Sequence, residues 1–346
     1  MSKYTADQVA DLIKTTQYEL GKGKITDISQ TMQNFVALPQ ILKRKQKQNT
    51  AGAGIQRQVL TTRGGNARQT GLFDQDNINV NDGLQTVTVP WRYTTNAYAF
   101  DLREDAMNGG AEEIVDLIKV RRQQCMNDMA VHLENQVWTA PASSTDTTET
   151  FGIPYWVVKN ATKGFNGGNP SGFSAGAGNL DSATYTTWKN WTDTYSDVTK
   201  ADFIEALAEA FHKTDFKSPI EGGLPTYDGG GMDQVIYAEW DSVRKLELIG
   251  EQQNENLGRD LDRMAGRILF RGVPIQVATK LEDDTDNPFY LINWSKMNPV
   301  FLGGWYFNEK GPDKVAGQHN VMAVHTDLQW NLVCVDRRGL GVIYQA

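Results

Sequence analysis

Leu84-Gln85-Thr86-Val87-Thr88-Val89-Pro90-Trp91-Arg92-Tyr93, running on to Phe100, is the stretch that sets the architecture of this chain. Val87, Val89, Trp91 and Tyr93 recur at every second position, with Thr86, Thr88 and Arg92 on the opposite face, the period of a strand. Upstream, Ile55-Gln56-Arg57-Gln58-Val59-Leu60-Thr61 is equally β-favourable. The polar, Gly-rich stretch Arg63-Gly64-Gly65-Asn66-Ala67-Arg68-Gln69-Thr70-Gly71 lies between the two. Together they predict a long two-stranded β-arm with little core of its own. An isolated ribbon is marginal in water, so this one must lean on something.

Downstream, Gly109-Gly110 opens the longest helix of the chain, predicted over 111–138. Ile114, Leu117, Ile118, Cys125, Met129, Leu133 and Val137 recur at three- and four-residue steps along one face. At 1.5 Å per residue this rod is about 40 Å long. Phe151-Gly152-Ile153-Pro154-Tyr155-Trp156 follows, and then Lys159 to Thr187, rich in Gly, Asn, Ser and Thr, reads as a long loop. A second helix is expected over 200–213, with Phe203, Leu207, Ala210 and Phe211 as its stripe. Gln234 to Ala238 reads as a buried strand leading into a helix from Glu239 to Ile249. Arg267 to Ala278 reads as strand, turn and strand; Phe289 to Asn293 and Asn320 to Tyr344 complete the β content. The order is mixed α+β, without the βαβ alternation of a doubly wound sheet.

Upstream of the β-arm, Thr5-Ala6-Asp7-Gln8 fits a capping box, and Val9, Leu12, Ile13 and Leu20 predict a helix over 6–20. Lys22 to Thr50 has no sustained period and ends in Lys43-Arg44-Lys45-Gln46-Lys47. That stretch is expected to be an arm that either waves in solvent or lies on a partner.

A length of 346 residues predicts two lobes, and 40% hydrophobic with 22% charged residues excludes a disordered or collagen-like chain. No run approaches a membrane span, and the N-terminus lacks the apolar stretch of a signal peptide, so a soluble protein is expected. Two cysteines, Cys125 and Cys334, are too few for a disulfide scaffold or a Cys-rich metal site. The net charge of −8 taken alone argues against nucleic-acid binding. Its distribution is more informative: residues 1–70 carry eleven Lys or Arg against four acids, a balance of +7 that leaves −15 for residues 71–346.

Motifs for chemistry are sparse. Gly172-Phe173-Ser174-Ala175-Gly176 matches G-x-S-x-G, but a nucleophile elbow needs a strand before it and a helix after it, whereas this one sits in a Gly/Ser/Asn loop. His132 falls seven residues after Cys125 on the long helix and is expected to share its face as a satisfied core pair rather than a catalytic dyad. His212, His319 and His325 form no H-x-x-x-H or H-E-x-x-H. Glu282-Asp283-Asp284-Thr285-Asp286 lacks EF-hand spacing and reads as an exposed acidic turn. No phosphate-cradling loop is present, and a single Arg63-Gly64-Gly65 is a weak RNA signal. The residues therefore predict no enzyme, no cofactor and no metal.

The order of parts resembles the major capsid proteins of tailed bacteriophages, the Hong Kong 97-type shell fold. Residues 1–50 resemble its N-arm, 51–96 its E-loop, 97–230 its P-domain with the spine helix at 111–138, 231–318 its A-domain, and 319–346 the return of the chain to the P-domain. Phe151-Gly152-Ile153-Pro154 resembles the turn after the spine helix. Ile268-Leu269-Phe270-Arg271-Gly272-Val273-Pro274-Ile275-Gln276-Val277 resembles the family's strand, Gly-x-Pro turn and strand.

The resemblance implies a structural protein of the virion, assembled in the host cytoplasm into pentamers and hexamers of an icosahedral shell around double-stranded DNA, with no membrane partner. Extended arms gain stability by lying across neighbouring subunits, and a repeated heterologous contact closes rings. Some relatives cross-link a lysine of the E-loop to a neighbour's asparagine. Between Lys47 and Lys119 this chain has no lysine, so a noncovalent shell is expected, with a portal and a possible decoration protein as partners. The β-arm begins near residue 51, leaving no room for a cleaved scaffolding segment, so a separate scaffolding protein is expected. Lys43, Arg44, Lys45 and Lys47 are the candidate assembly or DNA contacts, either with acidic faces of neighbours or, without sequence preference, with packaged DNA. Arg57, Arg63, Arg68 and Trp91 are the candidate intersubunit contacts of the E-loop. An encapsulin-like nanocompartment shell enclosing a cargo enzyme is the alternative within the same fold. A serine hydrolase working through Ser174 and a monomeric DNA-binding protein are the rivals outside it.

Overall fold

The computed structural model describes residues 34–44, 46–48, 52–75, 78, 80–104, 111–215, 220–221, 224–225, 233–253, 261–264 and 267–346. The expected N-terminal helix over 6–20, and Lys45, lie outside them. The described chain opens with a short helix, α1 (Leu38–Arg44), and strand β1 (Gln46–Gln48). The β-arm follows as β2 (Gly54–Leu60) and β3 (Leu84–Pro90), antiparallel in continuous register from Gly54↔Pro90 to Leu60↔Leu84. One residue later the chain enters β4 (Arg92–Asp101), and then α2 (Ala111–Val137), the expected rod.

After α3 (Ile153–Trp156) come β5 (Gly164–Gly167), β6 (Asn190–Tyr195), a π-helical turn and α4 (Glu205–Thr214). The strand pair β7 (Ile220–Glu221) and β8 (Leu224–Pro225) precedes β9 (Gln234–Ala238) and α5 (Trp240–Gln253). The chain ends with β10 (Leu261–Met264), β11 (Arg267–Phe270), β12 (Val273–Val277), β13 (Phe289–Asn293), β14 (Met297–Leu302), β15 (Asn308–Lys314), β16 (Val321–Cys334) and β17 (Gly341–Gln345).

Two sheets organise the body. In the first, β16 is the long central strand, with β4 along one side and β14 and β15 along the other; β1 adds a parallel edge to β14. The second runs β10-β11-β12-β9-β13-β17-β6-β5. Residues 319–346 therefore divide, with β16 beside β4 and β17 inside the second sheet. The continuous burial of β9 and β13 has a simple cause. Val235, Tyr237, Tyr290 and Ile292 face a core shared with α2, α3, β14 and β16, while Ile236, Ala238, Phe289 and Leu291 face α4 and α5. A sheet covered on both faces carries apolar residues without alternation.

Along α2, Cys125, Met129, Leu133 and Val137 are buried as expected, and the side chains of Ile114 and Leu117 lie outside the described part. His132 does not join Cys125. Steps of four residues turn the buried stripe by about 40° each, so it rotates away from the face to which His132 returns. His132 is exposed, and the Cys125 thiol lies 3.9 Å from the Thr326 hydroxyl instead.

The alternation read through residues 84–93 also breaks. Val87, Val89 and Trp91 are buried, but so is Arg92, and Tyr93 is 69% exposed. β3 is laid on β2 and β4 on β16, and the phase slips by one residue where the chain changes ladders. Arg92 is accommodated because its guanidinium donates to the carbonyls of Glu149 (2.7 Å) and Asp146 (2.6 Å) and lies over the Phe151 ring. Burial lowers its pKa.

Candidate assembly surfaces

The β-arm has two unlike halves. At its root, Ile55, Val87 and Val89 are fully buried with Trp156 and Ala177 in the main core. Thr88 N donates to Gly178 O at 2.9 Å, and the Trp91 indole donates to Gly52 O at 3.0 Å. The fully buried Asn331 ties the root to the body: its amide donates to Pro90 O (2.8 Å), and its carbonyl accepts from Phe151 N (3.0 Å). Part of the long loop expected over 159–187 is thus the wall against which the root packs. Gly178 (φ 63°) is needed there, since a Cβ would stand 2.5 Å from Val87 Cγ1.

Among the described residues nothing of the same chain forms such a wall for the tip. Leu72 is 88% exposed, Phe73 97%, Ile78 79% and Val80 90%. Phe73 adopts a left-handed backbone (φ 66°), which costs a non-glycine residue on the order of 1 kcal/mol. Local hydrogen bonds hold the turn: Gly71 N donates to the Asp74 carboxylate at 2.6 Å, and the Asn81 amide donates to Arg63 O and Gly64 O. Burying such a patch of apolar surface is worth roughly 25 cal/mol per Å².

Among the E-loop candidates, Arg57 is half-buried at the root, whereas Arg63 and Arg68 are exposed on the tip, with the Arg68 guanidinium donating to Gln75 O. Trp91 packs inside its own chain, 6% exposed, and so anchors the arm rather than presenting a surface. Of the basic run, Lys43 is exposed at the end of α1. Arg44 is half-buried and ion-paired with Asp233 of the same chain. Lys47 lies in β1, in register with Phe301.

Three polar residues that no periodicity marks hold these parts together. Asn331 fixes the arm root, as above. Arg337 is fully buried and donates to the carbonyls of Trp156 (2.8 Å), Trp188 (3.0 Å) and Gly168 (2.9 Å) and to Asn190 Oδ1 (3.0 Å). Burial pushes its pKa down to about 10, which leaves it charged at neutral pH. Glu134 joins α2 to the N-terminal segment. Only Asn331 carries a sequence signal, a polar residue between Trp330 and Leu332; Glu134, followed by Asn135 and Gln136, and Arg337, between Asp336 and Arg338, sit beside other polar residues and carry none.

Among the described residues the rival chemistries find no geometry. Ser174 is exposed in a turn, without the strand and helix of a nucleophile elbow. The acidic turn is closed by Lys159, whose ammonium reaches Asp284 (2.7 Å) and Asp286 (2.8 Å). Among the described residues no cluster of His, Cys, Asp or Glu suits a metal ion, and no helix is long and apolar enough to cross a membrane.

No protein-family model and no curated protein sequence matches this chain. Solved structures do. The capsid asymmetric unit of cyanophage A-1(L) is similar with a TM-score of 0.61 at 14% identity, covering 94% of this chain and 96% of that one. The chain has the Hong Kong 97-type shell fold. The capsid of cyanophage P-SCSP1u gives a TM-score of 0.53 at 12% identity over 96% of this chain and 94% of that one. The capsid of Myoviridae phage XM1 gives 0.52 at 10% identity over 95% and 99%. The shell fold therefore spans almost the whole chain, and the α+β order read from the sequence is that of the structure.

Proposed function

We propose that this chain is the major capsid protein of a tailed bacteriophage, a structural protein that assembles through pentamers and hexamers into an icosahedral shell around double-stranded DNA. The observation that carries the reading is a β-arm whose root is locked into its own subunit while its tip exposes Leu72, Phe73, Ile78 and Val80. A projection of that kind, on a shell fold, is built to be covered by another copy. The absence of lysine between Lys47 and Lys119 supports a noncovalent shell. Segments 1–50, 51–96, 97–230, 231–318 and 319–346 serve in this reading as N-arm, E-loop, P-domain, A-domain and the returning chain.

Pairing of Arg44 with Asp233 supports a protein-facing role for the basic run, because one of its cations already meets an acid of the capsid chain. Lys43 faces solvent and is open to a neighbour or to DNA. Neutralising Lys43, Lys45 and Lys47 together separates the two roles. Loss of empty-shell assembly assigns them to subunits, and intact shells that package poorly assign them to DNA. A scaffolding protein, a portal and a decoration protein complete the proposed partners.

Negative-stain microscopy of the purified protein, with a denaturing gel of the same sample, tests the reading. Closed polyhedral shells or capsomers that dissolve to single chains on the gel are expected. Monodisperse monomers refute assembly, a ladder of covalent multimers refutes the noncovalent shell, and particles filled with a co-purified enzyme replace the phage reading by an encapsulin-like one.

A further inference from the structure

The N-terminal segment is fastened to the body by a residue far away in sequence. Glu134, near the end of α2, is 1% exposed. Its Oε1 accepts from Val36 N (3.3 Å), Ala37 N (3.1 Å) and the Trp138 indole (3.0 Å), and its Oε2 from Ala37 N (3.1 Å) and Leu38 N (2.7 Å). Among the described residues no Lys or Arg pairs with it. Its charge is therefore met by N–H groups alone, and all but the indole belong to the arm. Ala37, which stands just before α1 and accepts its first helical bond from Ile41 N, has no side-chain oxygen to hold these amides itself. Withdrawing the arm would leave a carboxylate with one protein donor, an arrangement that persists only if water enters.

The remaining anchors of the arm lie on other elements. Val36, Ala37 and Ile41 are buried in the main core, Arg44 pairs with Asp233 at the head of β9, and β1 pairs with β14 along only Gln46 to Gln48. β1 is the edge of its sheet, so its departure breaks no interior ladder. The segment thus straps the end of α2 to the head of β9, and none of its contacts is needed to close either sheet.

We propose that Glu134 is the latch of this strap, and that attachment of residues 34–48 is a two-state equilibrium separable from folding of the body. Latched, the segment belongs to its own subunit and fixes α2 against the second sheet. Unlatched, it would span about 50 Å when fully extended, enough to reach another copy. Glu134 is a positioning residue in this scheme. It sets where Arg44 and Lys43 are held and touches no partner itself. The inference goes beyond the capsid reading and does not depend on it, because the latch is intramolecular whatever the chain assembles into.

Hydrogen exchange followed by mass spectrometry on the full-length protein tests it, comparing wild type with Glu134→Ala. Loss of hydrogen bonds to a charged acceptor predicts exchange at least about tenfold faster in a peptide covering 34–44, with peptides covering 289–293 and 328–334 unchanged. Unchanged exchange at 34–44 overturns the proposal. So does equal acceleration everywhere, which would make Glu134 a general stabiliser of the fold. Glu134→Gln carries the same test if the alanine variant does not fold. It keeps the shape and one acceptor oxygen, and the same local pattern with a smaller acceleration is expected; a uniform or absent effect again overturns the latch.

Discussion

The two ends of the β-arm are made of similar residues and do opposite things. At the root, Ile55, Val87 and Val89 are fully buried by the chain's own body, whereas at the tip Leu72, Phe73, Ile78 and Val80 stand 79% exposed or more. Both ends carry apolar side chains; the difference is the wall. Residues 173–180 and Trp156 cover the root, and nothing described in the same chain covers the tip. Apolar surface left bare on a locally hydrogen-bonded turn marks an interface, while the same surface under a wall marks a core.

Charge substitutions should break this comparison most sharply. Val87→Asp places a carboxylate in a closed apolar site, and loss of about 4 kcal/mol or more is expected, read as failure to fold or a collapsed denaturant midpoint. Leu72→Asp with Phe73→Asp should leave the denaturation curve of the free subunit within about 0.5 kcal/mol of wild type and abolish assembly in sedimentation. Equal effects at the two ends would erase the distinction.

Arg337 supports the wall rather than the arm. Arg337→Met leaves the carbonyls of Trp156, Trp188 and Gly168 without their donor, and a loss of about 3–5 kcal/mol is expected in chemical denaturation, with tip exposure unaltered. Gly178→Ala strains a φ of 63° and presses on Val87. It should cost about 1–3 kcal/mol and speed exchange of the Thr88 amide before the rest of the core.

Thiol chemistry reads the exposure of the tip against buried native cysteines in α2 and β16. The thiolate is the reactive form, and burial pushes the Cys334 thiol up to about 12 and raises that of Cys125 as well. At pH 8 both stay neutral and enclosed, so iodoacetamide should modify neither in the native protein. Leu72→Cys should be modified at once in free subunits and protected in assembled particles.

The long helix, the β-arm and the strand-turn-strand at β11 and β12 were legible because their apolar residues recur at a helix or strand period or form short runs around a turn. β14 and β15 escaped notice for a physical reason. Pro299 interrupts the first, and the second is a polar edge strand through Gly311-Pro312, so neither shows a period. The helix α1 inside a segment expected to have no fold of its own was hidden likewise. Seven residues cannot sustain a helix alone, and Leu38–Arg44 is held by Glu134, which no local pattern connects to it. The tip residues Leu72 and Phe73 were readable as apolar, but only the absence of a wall distinguishes them from Val87.

A cryo-microscopy reconstruction of the particles formed by the wild-type chain tests the central claim most directly. A closed shell is expected, in which Leu72, Phe73, Ile78 and Val80 of each arm are buried against a neighbouring copy while Val87 and Trp91 keep their own-chain contacts. A shell in which the tips project freely into solvent, or a protein that forms no particle at all, would contradict it.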